Sequence, residues 1–512
     1  LTVCLVKSNY QRVLIQQEKK EKPTVDKTGN WYRQLGEYRM LNGQKIPGVI
    51  GATMHLIRVC GKNIVIDCGI GFNKNGEFQS QYVPDGNWLI GIHIDLIILT
   101  HKHLDHCGAL PRLVWHHPEA LALMSAKCFD GARIALEDSL KIWLNDAKSA
   151  ERDGLPVPEP VFTEEMLDAF YSNPNLSVFE PPYWLDSKAD LRGQWPGWEV
   201  GFYDAGHDVG AISSFFILPD GRPFYLTGDA ASHDQENARG VLLPPDNFLG
   251  DFFERPDLIM VTEATNGARR MEKSREQLDR ELGELLKSVD ARGGIALIPV
   301  FAGTKAGNIL VKLNNLGYKA VVDGLARQHV RVEVPDIDQR IRDGRIVLIE
   351  ERDNELAWKQ RTEYADGVHG FIPIVAPSAT LDQGFAASAY APVILPNERN
   401  TAIFPGHIFD NSTAERLLKI KRGNTIKLSM FFKGKLETVY VNVLCDVRHF
   451  GYSSHDFKDG LVERVRVVRP ETLIVHHCPD EESFNSFVEQ VRFLPNPPKN
   501  LLWGLNGIKI LI

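Results

Sequence analysis

Thr100-His101-Lys102-His103-Leu104-Asp105-His106 decides how this chain is read. Ile94 to Leu99 precedes it, with five apolar residues in six, and such a run predicts a strand buried on both faces. Gly108 to Val114 follows as the predicted start of a helix, so the histidine run sits on a strand-to-helix loop, where functional groups concentrate. His101 and His103 are two apart and project the same way from an extended loop, while Asp105 and His106 carry on around the turn. Four metal-ligand side chains within six residues predict a metal centre. A merely histidine-rich surface loop is the rival, and residues further along weigh against it.

Downstream, His207 lies in a Gly-flanked turn, Asp204-Ala205-Gly206-His207-Asp208-Val209-Gly210, before the predicted strand Phe215 to Leu218. Asp229 ends Phe224-Tyr225-Leu226-Thr227-Gly228-Asp229, a strand running into a glycine and an acid. Alone, His207 is an even bet as a ligand, and an isolated Asp229 reads better as a helix N-cap.

The whole chain bounds the class. Its 512 residues predict two large domains or one domain with a big insertion. Hydrophobic residues at 43% and charged residues at 24% exclude disordered and fibrous classes. A formal charge of −8 argues against a protein coated in nucleic acid, yet leaves room for a local basic cleft. Seven cysteines without a Cys-x-x-Cys pair disfavour zinc-finger modules and disulfide frameworks, and point to a reducing, cytoplasmic setting. No apolar run spans a membrane and no signal sequence is evident, so a soluble chain without a membrane partner is expected. The N-terminal part, including Thr2 to Val6, Met54 to Val59 and Asn63 to Ile66, reads as β-meander, while alternating strands and helices between 266 and 434 read as an inserted α/β unit.

These segments resemble the metallo-β-lactamase fold, whose members share a His-x-His-x-Asp-His run, a later histidine and a later bridging aspartate. The resemblance implies an α/β class, an αββα sandwich, and two zinc ions, with manganese as a second option. It implies that His101, His103 and His207 hold one ion, that Asp105 and His106 hold the other, and that Asp229 joins them. Asp67, in Ile64-Val65-Ile66-Asp67-Cys68-Gly69, matches the acid that orients rather than ligates.

The middle of the chain is similar to the β-CASP insertion of nucleic-acid-cutting relatives. Glu263 in Val261-Thr262-Glu263-Ala264-Thr265-Asn266-Gly267 resembles the first β-CASP motif, and Gly293 to Ala302 the strand after it. Ser453-Ser454-His455-Asp456 matches the second motif and Leu473-Ile474-Val475-His476 the third, 21 residues apart from histidine to histidine. By that likeness His476 completes the second ion's ligands, His455 stands at the scissile phosphate with Glu263 orienting it, and Ser453 and Ser454 contact substrate. Two departures stand out: His476-His477-Cys478-Pro479-Asp480 replaces His-Gly-Glu, and Gly303-Thr304-Lys305-Ala306-Gly307 replaces Gly-Arg-x-x-Glu. Lys305 is then expected to serve a phosphate as a point charge, without bidentate geometry.

The implied division is 1–265 and 435–512 for the metallo-β-lactamase domain and 266–434 for the β-CASP domain. The implied activity is phosphodiester cleavage of single-stranded RNA, endo, 5′-to-3′ exo or both, through a metal-bridging hydroxide. Asp105, His455 and Glu263 are the expected catalytic residues, DNA is the second polymer, and a homodimer is allowed for. The resemblance extends to ribonuclease J and the cleavage-and-polyadenylation endonucleases, leaning to the latter. A hydrolase of small esters or thioesters shares the first four ligand positions, and a non-catalytic scaffold is the third reading.

Overall fold

The computed structural model describes residues 29–41, 44–47, 50–72, 81–84, 86–89, 91–157, 159–185, 193, 195–241, 251–350, 354–432 and 435–512. The expected strand Thr2 to Val6 lies outside the described residues.

Two seven-stranded sheets face each other. The first orders Leu176–Phe179, Leu121–Ser125, Leu96–Ile98, Lys62–Ile66, His55–Val59, Trp31–Gln34 and Lys509–Leu511. The second orders Tyr183–Trp184, Glu199–Asp204, Ile212–Ile217, Pro223–Leu226, Ile259–Glu263, Thr472–His476 and Asn500–Trp503. Successive strand residues point to opposite faces, and here both faces are buried. Ile57, Ile64, Ile66, Leu96 and Ile98 of the first sheet meet Phe216, Phe224, Val261 and Ile474 of the second in one inner core. The alternate residues Leu56, Val65, Ile97 and Leu99 pack outward with Leu110, Leu113 and Leu136, from the helices Leu110–His116 and Ala126–Arg152. On the far side, Phe215, Met260, Leu473 and Val475 pack with Leu461 and Phe487, from the helices Lys458–Val468 and Glu481–Arg492. The result is the αββα layering that the resemblance implied.

The predicted strand before the histidine run is Leu96–Ile98, and the hairpin around Pro219-Asp220-Gly221 is formed by Ile212–Ile217 and Pro223–Leu226. The long helix of the insertion covers Arg275–Ala291. A third sheet, ordered Ile346–Leu348, Ala320–Val322, Ile374–Ala376, Ala296–Pro299, Thr401–Phe404 and Asp446–His449, carries helices around it. Its pairings are parallel, as expected of strands linked by helical crossovers. This sheet runs on to His449, past residue 434 where the sequence drew its boundary. The segment from 138 to 198 contains most of the helix Ala126–Arg152, then Glu164–Tyr171 and Leu176–Phe179, the last pairing in parallel with Leu121–Ser125. Part of that segment therefore extends the first sheet.

Candidate metal centre

The strand Leu96–Ile98 delivers the histidine run to the rim of the sandwich, and a carboxylate fixes it there. Asp67, with φ of 61°, accepts hydrogen bonds from the Thr100 backbone N–H at 2.7 Å and from the Thr100 hydroxyl at 2.8 Å. Its Oδ2 also lies 2.8 Å from His106 Nδ1. One buried acid thus sets both the backbone and an imidazole. The short helix Leu104–Cys107 turns Asp105 and His106 away from His101 and His103. Close packing against the neighbouring loop permits this only because residue 69 is glycine: a Cβ there would lie 1.7 Å from the Asp105 carbonyl oxygen.

Donor atoms from four segments converge. His103 Nδ1 is 3.1 Å from His101 Nε2 and 3.2 Å from His207 Nε2. Asp229 Oδ2 is 3.6 Å from His101 Nε2 and 3.9 Å from His207 Nε2. The same oxygen is 3.4 Å from His106 Nε2, so it stands between two groups. The second group is His106 Nε2, Asp105 Oδ2 and His477 Nε2. His477 Nε2 is 3.4 Å from each of the other two, and they are 3.7 Å apart. His477 Nδ1 is 3.5 Å from Asp229 Oδ1.

These atoms fit divalent ions on chemical grounds. His207 Nδ1 lies 2.9 Å from the Ser454 carbonyl, which fixes its proton there and turns the Nε2 lone pair inward. Asp67 does the same for His106. Burial, with neighbouring histidines adding to it, holds His101 and His207 well below the usual imidazole range, so both rings are neutral. Lone pairs aimed at one another at about 3 Å repel unless a cation takes them. Tetrahedral zinc at about 2.0–2.1 Å from each nitrogen sets ligand atoms about 3.3 Å apart, and the separations above bracket that value. Asp229 is buried, and although burial raises a carboxyl's pKa, His477 and His106 hold it well below the ordinary range. Its Oδ1 has no hydrogen-bond partner, as a metal-facing oxygen would.

One expectation changes. His476 does not meet Asp105 and His106; it faces Glu37 and His55 instead, with Nδ1 3.1 Å from Glu37 Oε1. Strand parity is the reason: Ile474 points into the inner core, so His476, two residues on, points to the same side. The strand ends at His476, and His477 adopts φ of 45°, which swings its ring back to the rim. The doubled histidine was visible in the sequence; which member joins Asp105 and His106 was not.

Beside these donors, His455 Nδ1 is 3.3 Å from Glu263 Oε1, and its Nε2 is 3.9 Å from Asp229 Oδ2. Glu263 is fully buried; burial alone would raise its pKa, but His455 holds it below the ordinary range. Ser453 Oγ accepts the His455 backbone N–H at 3.0 Å. Ser454 Oγ accepts a hydrogen bond from Lys305 Nζ at 2.6 Å. Lys305 is buried, and burial, with Arg275 adding to it, pushes its ammonium down to about 7. The ammonium is thus tied to Ser454 rather than presented to solvent. Arg270 pairs with Asp459 at 3.7 Å and Arg327 donates to the Ile349 carbonyl at 2.9 Å; Lys433 lies outside the described residues.

The sequence reading missed Lys102. Its side chain is buried between the histidine ligands and the insertion, paired with Asp208 and, at 3.2 Å, with Glu333 of the helix Ala326–Glu333. Burial opposes its charge, but Asp208 and Glu333 outweigh that and raise its pKa. Asp208 in turn lies 3.5 Å from His103 Nε2, while Thr304 of the insertion hydrogen-bonds that same nitrogen. No residue type in the run itself announces this pairing.

Asp456, next to His455, forms a buried ion pair with Arg464 and accepts the Ser232 backbone N–H at 2.8 Å. Burial disfavours its charge, yet Arg464 draws its pKa down to about 2. A carboxyl depressed in the fold stabilises it above its unfolded value near 3.8 and loses that contribution as pH falls toward 2, on the order of 2 kcal/mol. Asp456→Asn leaves Arg464 buried without its counter-charge and is expected to cost about 3–5 kcal/mol in urea unfolding at pH 7.

Comparisons with known proteins agree with this geometry. Residues 47–236 match the metallo-beta-lactamase superfamily. The chain is 23% identical over 442 residues to "Probable RNase MJ4" of Methanocaldococcus jannaschii, covering 84% of this chain and 90% of that protein. It is 28% identical over 271 residues to "Ribonuclease TTHA0252" of Thermus thermophilus, covering 53% of each. Its fold is shared, at a TM-score of 0.51 and 13% identity over 94% of this chain and 100% of the other, with a crystal structure of a protein of unknown function from Enterococcus faecalis. With the αββα layers, the inserted α/β sheet and two adjoining sets of metal donors, the chain carries a metallo-β-lactamase domain, is similar to β-CASP nucleases, and is a metal-dependent hydrolase.

Proposed function

We propose that this protein cleaves phosphodiester bonds in single-stranded RNA. One ion would be held by His101, His103, His207 and Asp229, and a second by Asp105, His106, His477 and Asp229. The observation that carries the reading is His455: an imidazole beside Asp229, 3.3 Å from a buried carboxylate, is more than an ester hydrolase with a generic metal pair requires. The names of the two relatives above support RNA as the polymer. The imidazole-rich donor set favours zinc, with manganese as the second candidate.

Bound divalent ions would lower the pKa of water toward neutrality and neutralise charge on the attacked phosphate. His455 would protonate the departing oxygen, since a leaving alkoxide needs a proton and imidazole can supply one near neutral pH. Glu263 keeps that ring oriented. Asp67 and the Ser454 carbonyl hold His106 and His207 in the tautomers that aim Nε2 at the centre. Free cysteines throughout the described residues fit a reducing compartment such as the cytoplasm.

The test is a labelled RNA with a defined 5′ end, incubated with zinc or manganese beside a DNA of the same sequence. RNA cleavage is expected; cutting of DNA alone would reassign the polymer. His455→Ala is expected to lower turnover by about 10²–10⁴-fold while metal content stays the same. Full turnover in that variant would remove His455 from the chemistry.

A further inference from the structure

Beneath the metal centre, between the two facing sheets, three more ligand-type side chains meet: Glu37, His55 and His476. One donor atom from each lies within 4.8 Å of the others, and all three residues are buried. They come from three distant segments, and none has a part in the chemistry proposed above.

Each imidazole has one satisfied nitrogen. His55 Nδ1 is 2.8 Å from the Tyr32 hydroxyl, and His476 Nδ1 is 3.1 Å from Glu37 Oε1. Glu37 is anchored in turn: Gln34 Nε2 donates to Oε1 at 2.7 Å and the His477 backbone N–H donates to Oε2 at 2.7 Å. The remaining nitrogens, His55 Nε2 and His476 Nε2, are sealed from water and have no hydrogen-bond partner. The two rings stand edge to face, centroids 4.5 Å apart. Two buried polar nitrogens left unmatched side by side are costly, so a site of this composition calls for something that binds both.

We propose that Glu37, His55 and His476 form a third metal site, taking one divalent transition ion of zinc's class. With its Nδ1 proton donated to Glu37, His476 turns its Nε2 lone pair outward, the carboxylate–imidazole pairing that orients metal-binding histidines. His55 does the same if its Nδ1 proton goes to the Tyr32 oxygen. Glu37, bonded to Nδ1 behind the His476 ring, supplies the negative charge that a buried cation needs, and the two imidazole Nε2 atoms as ligands suit zinc or cobalt. His55 opens the strand His55–Val59 of one sheet and His476 closes the strand Thr472–His476 of the other. An ion there clasps the two sheets directly under the rim that carries His477, and is taken up as the chain folds.

The full chain, produced with cobalt as its metal, tests this by anomalous diffraction at the cobalt edge together with a metal count. The expected result is three ions per chain, one peak lying between His55 and His476, with His55→Gln losing that peak alone. Asp229→Ala should conversely lose peaks at the histidine run and keep this one, which separates the third site from the catalytic pair. Wild-type crystals at saturating cobalt with no anomalous peak between His55 and His476, only a bridging water, overturn the proposal. That map decides the matter even if His55→Gln does not fold.

Discussion

Asp229→Ala is expected to abolish metal binding and turnover together. Its Oδ2 lies within 3.4–3.9 Å of His101, His106 and His207, so one carboxylate serves both sets of donors. Removing it leaves Asp105 as the one carboxylate among the proposed ligands, too little charge to balance two cations in a buried site. Metal activation shifts the pKa of water by roughly eight units, so a loss of at least about 10⁴-fold is a conservative figure. Metal analysis of the purified variant beside single-turnover RNA cleavage checks it. An unchanged ion count would rule out the shared role of Asp229.

The second large effect concerns the doubled histidine. His477→Ala is expected to lose the ion held with Asp105 and His106, and with it at least about 10²-fold in turnover, more than an outer-sphere change of 10–100-fold would usually cause. His476→Val should instead keep that ion, because His476 Nδ1 bonds Glu37 and its ring lies on the inner side of the strand. Cobalt spectra and cleavage rates of the two variants side by side separate the roles. Loss of the rim ion in His476→Val, with His477→Ala intact, would return the ligand role to His476.

Electrostatics explain why these substitutions act beyond the metals. Burial lowers a histidine's pKa and raises an aspartate's, yet Asp229 opposes burial at His477 and raises that ring's pKa to about 9. Without metal the cluster is therefore expected to hold protons that metal binding releases, so apparent affinity should rise with pH through the neutral range.

Much of this protein is legible without coordinates. Alternation and apolar runs place the strands Lys62–Ile66, Leu96–Ile98 and Pro223–Leu226, because a strand buried on both faces must be apolar along its length. The run His101 to His106 is legible because ligands close in sequence need no tertiary contact to be neighbours. His207, Asp229, Glu263 and His455 could be singled out only as strand-end residues of the right type, and tertiary structure alone brings them within reach of that run.

Three matters were decided only by the folded chain. Strand parity and one left-handed residue chose His477 over His476, and a backbone torsion leaves no mark in residue type. Lys102 draws its partners from Asp208 and from Glu333, 231 residues away in the insertion, a pairing that spacing cannot signal. Glu37 and His55 find His476 across the sandwich, since two sheets pack face to face by burying side chains, not by any local pattern. Sequence by itself singled out a run of metal-ligand side chains, because ligands close in sequence need no tertiary contact; tertiary structure decided which side chains gather around that run and what lies beneath it.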